Sequence, residues 1–280
     1  MMSIREHIDE LRSRMLRIII SVMIITIFSM SFGIKAFTLY YPIVDINNNN
    51  NNNNNGIQLF YPYPDPFNNV AIQVTSFMEK TLLPQEVKLI QTAPGQAFFA
   101  QVYVSLLIGI IGSIPIIIKE IFGFISPAIG NQTKKIGITN VFLPIVSLCI
   151  TGIVFSYIVV IPFTLNFLYK YGQAIGVATF LNINDFISFV LQFFLGFGIA
   201  FELPIIMYAI ALTDIIDTRF WRKNFRYAAL ILVIFGAIIT PDGSGITMWF
   251  VAGPMITLYL LGMAAIERRD KMRRRRTLVS

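Results

Sequence analysis

The stretch IGITNVFLPIVSLCITGIVFSYIVVIPFTLNFLY, residues 136–169, contains 34 residues and no Asp, Glu, Lys, Arg or His. Inside hydrocarbon every backbone N–H and C=O has to be hydrogen-bonded within the segment, so an uncharged run of this length predicts a membrane-spanning helix. At ~1.5 Å per residue the run is longer than one crossing of ~30 Å. We therefore expect this helix to tilt or to project beyond the bilayer.

Further apolar runs flank this stretch. They cover residues 18–34, 97–118, 186–212, 227–240 and 246–266. Of the 280 residues 55% are hydrophobic and 13% are charged, against about 25% charged in soluble domains. We predict one all-α polytopic membrane domain, residues 1–280, with six transmembrane helices. A cleaved signal peptide is the alternative for the first run, but the acidic residues before it and the lack of a small-residue cleavage site argue against it.

The distribution of lysine and arginine predicts the orientation, because cytoplasmic loops carry an excess of both. With the N-terminus inside, the inner segments hold 18 of the 22 basic residues, and seven of these lie in the basic tail 267–280. The outer segments hold Lys35, Lys80, Lys88 and Lys170. Both termini are expected in the cytoplasm, and the basic residues are expected to contact lipid headgroups rather than nucleic acid, for which no recognition motif is present.

The polar stretch 35–96 is predicted to form an extracytoplasmic loop. It contains nine consecutive asparagines, Asn47–Asn55, whose low complexity predicts disorder. Residues 72–83 have the pattern of a short amphipathic helix that lies on the membrane surface.

The last two helices are predicted to be short. Residues 227–240 reach ~21 Å as a helix, against a hydrocarbon core of ~30 Å. The hairpin that they form with residues 246–266 would thin the bilayer, snorkel or lie behind other helices. The alternative is that the boundaries of this span are misplaced by several residues.

Glu202 lies within an apolar span, in the segment FGIAFELP at residues 197–204. A charged side chain at the bilayer centre costs at least ~2.5–3.5 kcal/mol on insertion scales, so such residues usually have a function. Pro204 removes a backbone donor and frees the carbonyl of Ala200. A protonated Glu202 that donates to this carbonyl is the structural interpretation. The functional one is a polar contact for a partner helix or for a ligand that enters from the cytoplasm.

The segment before the first span, HIDELRSR at residues 7–14, mixes acidic and basic side chains. Glu10 and Arg14 are spaced i, i+4, so they could form a surface ion pair worth a few tenths of a kcal/mol. The functional alternative is an acidic anchor at the cytoplasmic membrane surface. Carboxylates there suit a ligand with guanidinium groups, because arginine binds carboxylate bidentately.

Several classes of function are excluded by what the sequence lacks. His7 is the only histidine, which rules out a multi-histidine metal site, and Cys149 is the only cysteine, which rules out an intrachain disulfide. There is no zinc-binding H-E-x-x-H, no Walker P-loop and no pair of intramembrane aspartates. We expect no enzymatic activity, metal or cofactor, and an energy-consuming role would need a source such as the membrane potential.

The chain resembles the TatC family, the multispanning core subunit of the twin-arginine protein translocase. The segments that carry the resemblance are, in order, HIDELRSR (7–14), FGFISPA (122–128), FSY (155–157) with Pro162, FGIAFELP (197–204) and TPD (240–242). The resemblance covers the chain except for the asparagine-rich insertion. It implies a concave, glove-like bundle in the cytoplasmic membrane of a prokaryote, which binds the twin-arginine signal peptides of folded preproteins.

The resemblance also implies roles for individual residues. Glu10, with Arg12 beside it, matches the signal-binding glutamate, and Phe124 matches the aromatic residue of the first cytoplasmic loop. Glu202, close to Pro204, matches the intramembrane glutamate of the concave face, which also contacts a partner helix. The residues that match outer-side positions are Pro42, Tyr157 and Asp242.

One position departs from the family pattern. The family usually has a glutamate six residues after the equivalent of Pro127, where this chain has Thr133. The site for paired arginines therefore lacks one of its two carboxylates. We hypothesise that Glu120, at the inner end of the second span, or Asp9 supplies the second charge.

The resemblance implies partners as well. These are single-span TatA-type subunits, with or without a TatB-type subunit, in a homo- or hetero-oligomer that uses the proton-motive force. An alternative function is a secondary transporter of a small solute with Glu202 as its proton site, although no repeat relates the first three spans to the last three. An intramembrane enzyme is a third option, and it lacks its motifs.

Overall fold

A computed structural model describes residues 4–40, 56–84, 86–129, 138–177, 179–212, 218–240 and 245–277, and these residues are mostly helical. The elements are, in chain order, α1 (Ile4–Ser31), β1 (Phe32–Tyr40), β2 (Gly56–Pro64), α2 (Val70–Leu82), β3 (Lys88–Ile90), α3 (Gln96–Ile129), α4 (Ile138–Phe155), a π turn (Ser156–Val160), α5 (Ile161–Ala174), β4 (Phe180–Asn182), α6 (Ile183–Phe201), α7 (Leu203–Leu212), α8 (Thr218–Lys223), α9 (Phe225–Ile239) and α10 (Gly245–Thr277).

In the described part of the chain, five helical stretches are long and apolar enough to cross a membrane. They are Ile8–Ser31, Gln96–Ile121, Phe142–Ala174, Ile183–Ala211 and Gly245–Met272. The helix α9 is apolar as well but shorter. These helices coincide with the six apolar runs of the sequence, because an uncharged run has to satisfy its backbone internally.

The long uncharged stretch forms one continuous helical element. α4, the π turn and α5 follow one another without a break from Ile138 to Ala174, about 55 Å at ~1.5 Å per residue. Pro162 has no N–H to donate, so the helical hydrogen-bond pattern has to change in the turn before it. The wider π turn, Ser156–Val160, lies in that turn. The predicted excess over one crossing is confirmed.

The centre of the bundle is α6. Phe186, Phe193 and Phe197 are completely buried along it, and α3, α4, α9 and α10 all contact this helix. The approach of α4 depends on Gly152, since a Cβ there would lie 2.6 Å from the carbonyl oxygen of Phe197. Small residues at such crossings let helices in membranes pack closely. The helix that carries Glu202 at its end is therefore the most enclosed one.

The helix α1 lies at the edge of the bundle. It packs along α3, and this is the most extensive contact between two helices. Its other face exposes large apolar side chains such as Ile20, Ile24 and Ile27. In a membrane this face suits lipid, because lipid tails are as apolar as these side chains.

The segment between α1 and α3 is more structured than the sequence predicts. β1 and β2 form an antiparallel ribbon in which Phe32 pairs with Pro64 and Tyr40 with Gly56, so the first span ends at Ser31 and not at residue 34. Prolines are tolerated in β2 because a two-stranded ribbon has a free edge. The all-α prediction is thus correct for the spans but omits the strands, and Asn47–Asn55 lie outside the described residues.

A second ribbon and α2 complete this segment. β3 and β4 pair in parallel, which joins the approach to α3 with the approach to α6. The helix α2 begins two residues before the predicted amphipathic helix and buries Ala71, Met78 and Leu82. Its apolar face is therefore partly used for packing within the protein.

The prediction of two short final helices holds for one of them. The helix α9 has 15 residues, about 22 Å at ~1.5 Å per residue. The helix α10 has 33 residues and continues through the basic tail to Thr277, so the prediction is wrong for α10. The reason is that Glu, Arg and Lys are good helix formers and that no Gly or Pro follows Gly262 to end the helix.

Candidate functional site

Four charged side chains meet where the N-terminal half of α1 crosses the C-terminal half of α3. Glu10, Arg14 and Arg17 come from α1, and Glu120 comes from α3. The spacing i, i+4, i+7 places the three α1 residues on one face of the helix. We call these four residues the charge cluster.

One guanidinium bridges both carboxylates of the charge cluster. Arg14 donates from Nε and Nη2 to Oε1 of Glu10, at 3.0 and 2.7 Å. From Nη1 it donates to Oε2 of Glu120 at 3.0 Å. Arg17 donates from Nη1 to the other oxygen of Glu120 at 2.8 Å. The two carboxylates are therefore neutralised by the two guanidiniums.

The two carboxylates differ in burial. The side chain of Glu120 is 7% exposed, against 25% for Glu10 and 21% for Arg14. Both oxygens of Glu120 are bonded to arginine, whereas Oε2 of Glu10 has no hydrogen bond to any described residue. Glu10 is the carboxylate that a ligand can reach, and Glu120 is the one that holds the arginines.

The arginine bridge depends on a glycine of α3. A Cβ on Gly123 would collide with the guanidinium of Arg14. The absence of a side chain at this position lets Arg14 lie against α3 one turn after Glu120. Gly123 belongs to the FGFISPA segment, so this part of the resemblance has a packing reason.

The other residues that the sequence predicted for this site lie beside the charge cluster and not in it. Asp9 and Arg12 are exposed on α1 and make no hydrogen bond within the described residues. Phe124 lies on α3 one turn beyond Glu120, is half-buried and has an interaction partner. The structure thus joins Glu10 with Glu120 through Arg14 and leaves Asp9 and Arg12 on open faces.

Glu202 lies at the break between α6 and α7. Its backbone N–H donates to the carbonyl of Ile199 at 3.1 Å. Its side chain is half-buried, and Oε1 is buried without a hydrogen-bond partner. No hydrogen bond joins its carboxyl to the carbonyl of Ala200 in the described residues, so the structural interpretation has no support here. A buried polar atom without a partner needs an explanation.

Tyr157 links the π turn to α2. Its hydroxyl lies 2.7 Å from Oγ1 of Thr81, and its ring stacks on Phe77 with centroids 6.2 Å apart. The same ring also contacts Phe194 of α6, with centroids 6.2 Å apart. The remaining residues of the family pattern that were singled out, Pro42, Thr133 and Asp242, lie outside the described residues.

A cavity of about 350 Å³ lies at the other end of the bundle, and the sequence did not predict it. It is lined by Glu86, Lys88, Tyr169, Gln173, Val177, Thr179 and Phe180. The phenol of Tyr169 donates to the carboxylate of Glu86, which closes one side. The cavity is open to solvent, and its lining includes none of Glu10, Glu120 and Glu202.

Two members of the site were missed from the sequence. Arg17 was counted as one of the inner cations but was given no site role, and Arg14 was considered as a surface pair with Glu10. A signal for both exists, because Glu120 is the only acidic residue of α3 and a buried carboxylate needs cations. Which cations reach it depends on the pairing of α1 with α3.

Comparison with known proteins shows the family of this chain. A family model described as Sec-independent protein translocase protein (TatC) matches residues 6–254. The TatC protein of Cenarchaeum symbiosum is 48% identical over 270 residues, 96% of each chain. That of Carboxydothermus hydrogenoformans is 31% identical over 204 residues, 73% of this chain and 80% of its own.

A solved structure is similar over almost the whole chain. It is a crystal structure of the twin arginine translocase receptor TatC, with a TM-score of 0.71 and 27% identity, and the match covers 93% of this chain and 98% of that one. The same receptor in the detergent DDM gives a TM-score of 0.70. The relatives are named as translocase proteins, and translocation is a transport role. The long apolar helices are those of a multi-pass membrane protein. The chain belongs to the TatC family of Sec-independent protein translocase proteins.

Proposed function

We propose that this protein is the signal-peptide receptor and core scaffold of a twin-arginine translocase, and that Glu10 binds an arginine of the signal peptide. The observation that carries the proposal is the state of Glu10. It is a partly exposed carboxylate with one oxygen already bound to two N–H groups of a guanidinium and the other oxygen open. Such a carboxylate binds another guanidinium in the same way.

The orientation in the membrane supports a cytoplasmic location for this site. If the chain crosses six times with both termini inside, 18 of the 22 basic residues fall on the inner side, in the N-terminal segment, the loops after the second and fourth spans, and the tail. α9 then serves as the fifth crossing although it is short, in the cytoplasmic membrane of a prokaryote. In this arrangement the six helices form the concave, glove-like bundle of the family.

The neighbours of Glu10 have different parts in this proposal. Asp9 and Arg12 are exposed on the same helix, where they can contact a bound peptide, and Phe124 offers an aromatic surface next to the charge cluster. Asp9 or Glu120 supplies the second carboxylate. Asp9 is free to do so directly, whereas both oxygens of Glu120 are bound to arginine and must exchange partners first.

Glu202 and Pro204 are proposed as the contact for a partner helix within the membrane. The support is that Glu202 is a half-buried carboxyl group within an apolar helix and that Oε1 has no hydrogen-bond partner among the described residues; the exposed part of the residue is where a second helix can reach it. Single-span TatA-type subunits, with or without a TatB-type subunit, are the partners. Pro42, Tyr157 and Asp242 act on the outer side, where Tyr157 holds α2 against the bundle.

The transport proposal is tested by reconstitution. The protein is placed in vesicles with TatA-type subunits and a folded substrate whose signal peptide carries Arg-Arg, with and without a proton gradient. We expect the substrate to be protected from external protease only with the gradient, and a Lys-Lys signal or Glu10→Gln to abolish protection. Protection that is independent of the gradient, or equal for both signals, would contradict the proposal.

The same vesicles test the secondary transporter as the alternative. A secondary transporter would carry protons along a proton gradient even without TatA-type subunits and without a signal peptide. A proton flux that depends on Glu202 under these conditions would favour the transporter. No flux without the protein substrate favours the translocase.

A further inference from the structure

The charge cluster contains an arginine in the place where the proposed ligand would bind. Nε and Nη2 of Arg14 both donate to Oε1 of Glu10, and Nη1 donates to Glu120. A signal-peptide arginine would offer Glu10 the same fork of N–H groups. The receptor therefore carries its own guanidinium on the carboxylate that is proposed to read the signal.

The charges of the cluster leave no spare carboxylate for an incoming arginine. Two glutamates face two arginines, and no other acidic side chain among the described residues bonds to Arg14 or Arg17. An arginine that engages both oxygens of Glu10 must therefore compete with Arg14 for Oε1, the oxygen that Arg14 occupies. Arg14 can yield, since its bond to Oε2 of Glu120 is independent of Glu10 and Glu120 is the more buried partner.

We infer that Arg14 is a resident competitor that occupies Glu10 until an arginine of the signal peptide displaces it onto Glu120. The inference rests on the proposed role of Glu10. In this mechanism Glu120 is a positioning residue, which accepts the displaced guanidinium and does not contact the peptide. Gly123 provides the room in which Arg14 lies against α3.

The mechanism gives the receptor a threshold for specificity. A ligand has to bind Glu10 better than Arg14 does, and Arg14 has the advantage of being attached to the same helix at i+4. A lysine ammonium cannot present the planar fork that Arg14 presents, so it is a poorer competitor. The resident arginine therefore weakens every ligand, and the Lys-Lys peptide remains the weaker competitor of the two.

The test measures the affinity of the purified full-length protein for a labelled peptide with Arg-Arg. Arg14→Gln is expected to bind this peptide about two- to tenfold tighter than the wild type, the range of a partly exposed hydrogen-bonded ion pair. Arg14→Lys is expected to lie between the two proteins, because it keeps the charge and loses the fork. Glu120→Gln is expected to bind more weakly, because Arg14 then has Glu10 as its only carboxylate.

A double variant separates competition from direct contact. Arg14→Gln with Glu120→Gln removes one charge of each sign, so the cluster stays neutral. If Arg14 competes, the double variant binds the Arg-Arg peptide tighter than the wild type. If Glu120 contacts the peptide itself, both proteins with Glu120→Gln bind more weakly, and the inference is wrong.

Folding and the underlying proposal are controlled separately. Thermal denaturation of each variant in detergent shows which ones are folded, and the neutral double variant decides the question if Arg14→Gln alone does not fold. The matched control Arg222→Gln, which removes an exposed arginine from another inner segment, should leave the affinity unchanged. Wild-type binding by Glu10→Gln would overturn the proposed function. Loss of binding in Glu10→Gln without any gain in the Arg14 variants would overturn only this inference.

Discussion

Gly152 is the residue on which the contact between α4 and α6 depends. A Cβ at this position would lie 2.6 Å from the carbonyl oxygen of Phe197 and 2.9 Å from the ring of Phe201, and neither group can move without shifting α6. We expect Gly152→Ala to lower the free energy of unfolding by about 1–3 kcal/mol, the usual cost of overpacking. Thermal unfolding in detergent measures it.

The matched control for this prediction is Gly253→Ala on α10. A Cβ at Gly253 meets no atom within 4 Å, and alanine is the better helix former, so this variant should be as stable as the wild type or slightly more stable. If Gly152→Ala is equally well tolerated, the close crossing of α4 and α6 does not exist as described.

At the residue scale the sequence singled out the carboxylates as candidate site residues, and their function stays a prediction. Glu202 and Glu10 are conspicuous because a carboxylate in or beside an apolar run is costly. The partners of Glu120 could not be predicted, because they depend on which face of α1 meets α3. That pairing is decided by packing across 103 and 106 residues of sequence separation.

Among the elements, the attachment of α2 to the bundle gives a second prediction. Tyr157→Phe keeps the ring stacking on Phe77 and loses only the contact with Oγ1 of Thr81. We expect it to lower stability by about 0.5–1.5 kcal/mol, as for one hydrogen bond. Tyr157→Ala loses the ring as well and should cost more than Tyr157→Phe, because the half-buried ring also packs on Phe77 and Phe194.

A double-mutant cycle with Thr81→Val checks the assignment of this hydrogen bond. If the two hydroxyls bond to each other, Tyr157→Phe should have little further effect in the Thr81→Val background. Additive losses in thermal unfolding would show that each hydroxyl has a different partner.

The positions of the helices followed from the sequence, and their ends did not. Inside hydrocarbon an uncharged run has to hydrogen-bond its own backbone, and the helix is the structure that does so, so each run is helical. β1 and β2 were missed because they pair across an asparagine-rich insertion and because β2 contains prolines, which argue against a strand. The length of α10 was missed since a change from apolar to basic residues ends a membrane span but does not end a helix.

For the whole molecule, the predicted topology can be tested by labelling a single introduced cysteine, because the chain has only one cysteine of its own to remove. Cys149 is first replaced by serine, and a new cysteine is placed at the exposed position Glu79 or at the exposed position Met272. A membrane-impermeant maleimide should label Glu79→Cys in cells whose wall has been removed and whose membrane is intact. It should label Met272→Cys only after the membrane is opened. The reverse pattern would place both termini outside.

The arrangement of helices around α6 is the part of the fold that pattern reasoning does not reach. The apolar pattern does not distinguish the lipid-facing side of a helix from its protein-facing side, because both are apolar. The sequence therefore predicts the spans but not which spans pack against each other. The similarity to the solved receptor, over 93% of this chain, shows the helical TatC fold, and the concave, glove-like shape that the resemblance implies stays a prediction.

The central claim is that this protein distinguishes paired arginines through Glu10. The measurement that tests it most directly is the affinity of the purified protein for two peptides that differ only in Arg-Arg against Lys-Lys. The wild type should prefer Arg-Arg by at least about tenfold, because a charge-assisted bidentate contact is lost with lysine. Glu10→Gln should bind both peptides equally weakly. Equal affinities in the wild type, or a preference that survives Glu10→Gln, would contradict the account.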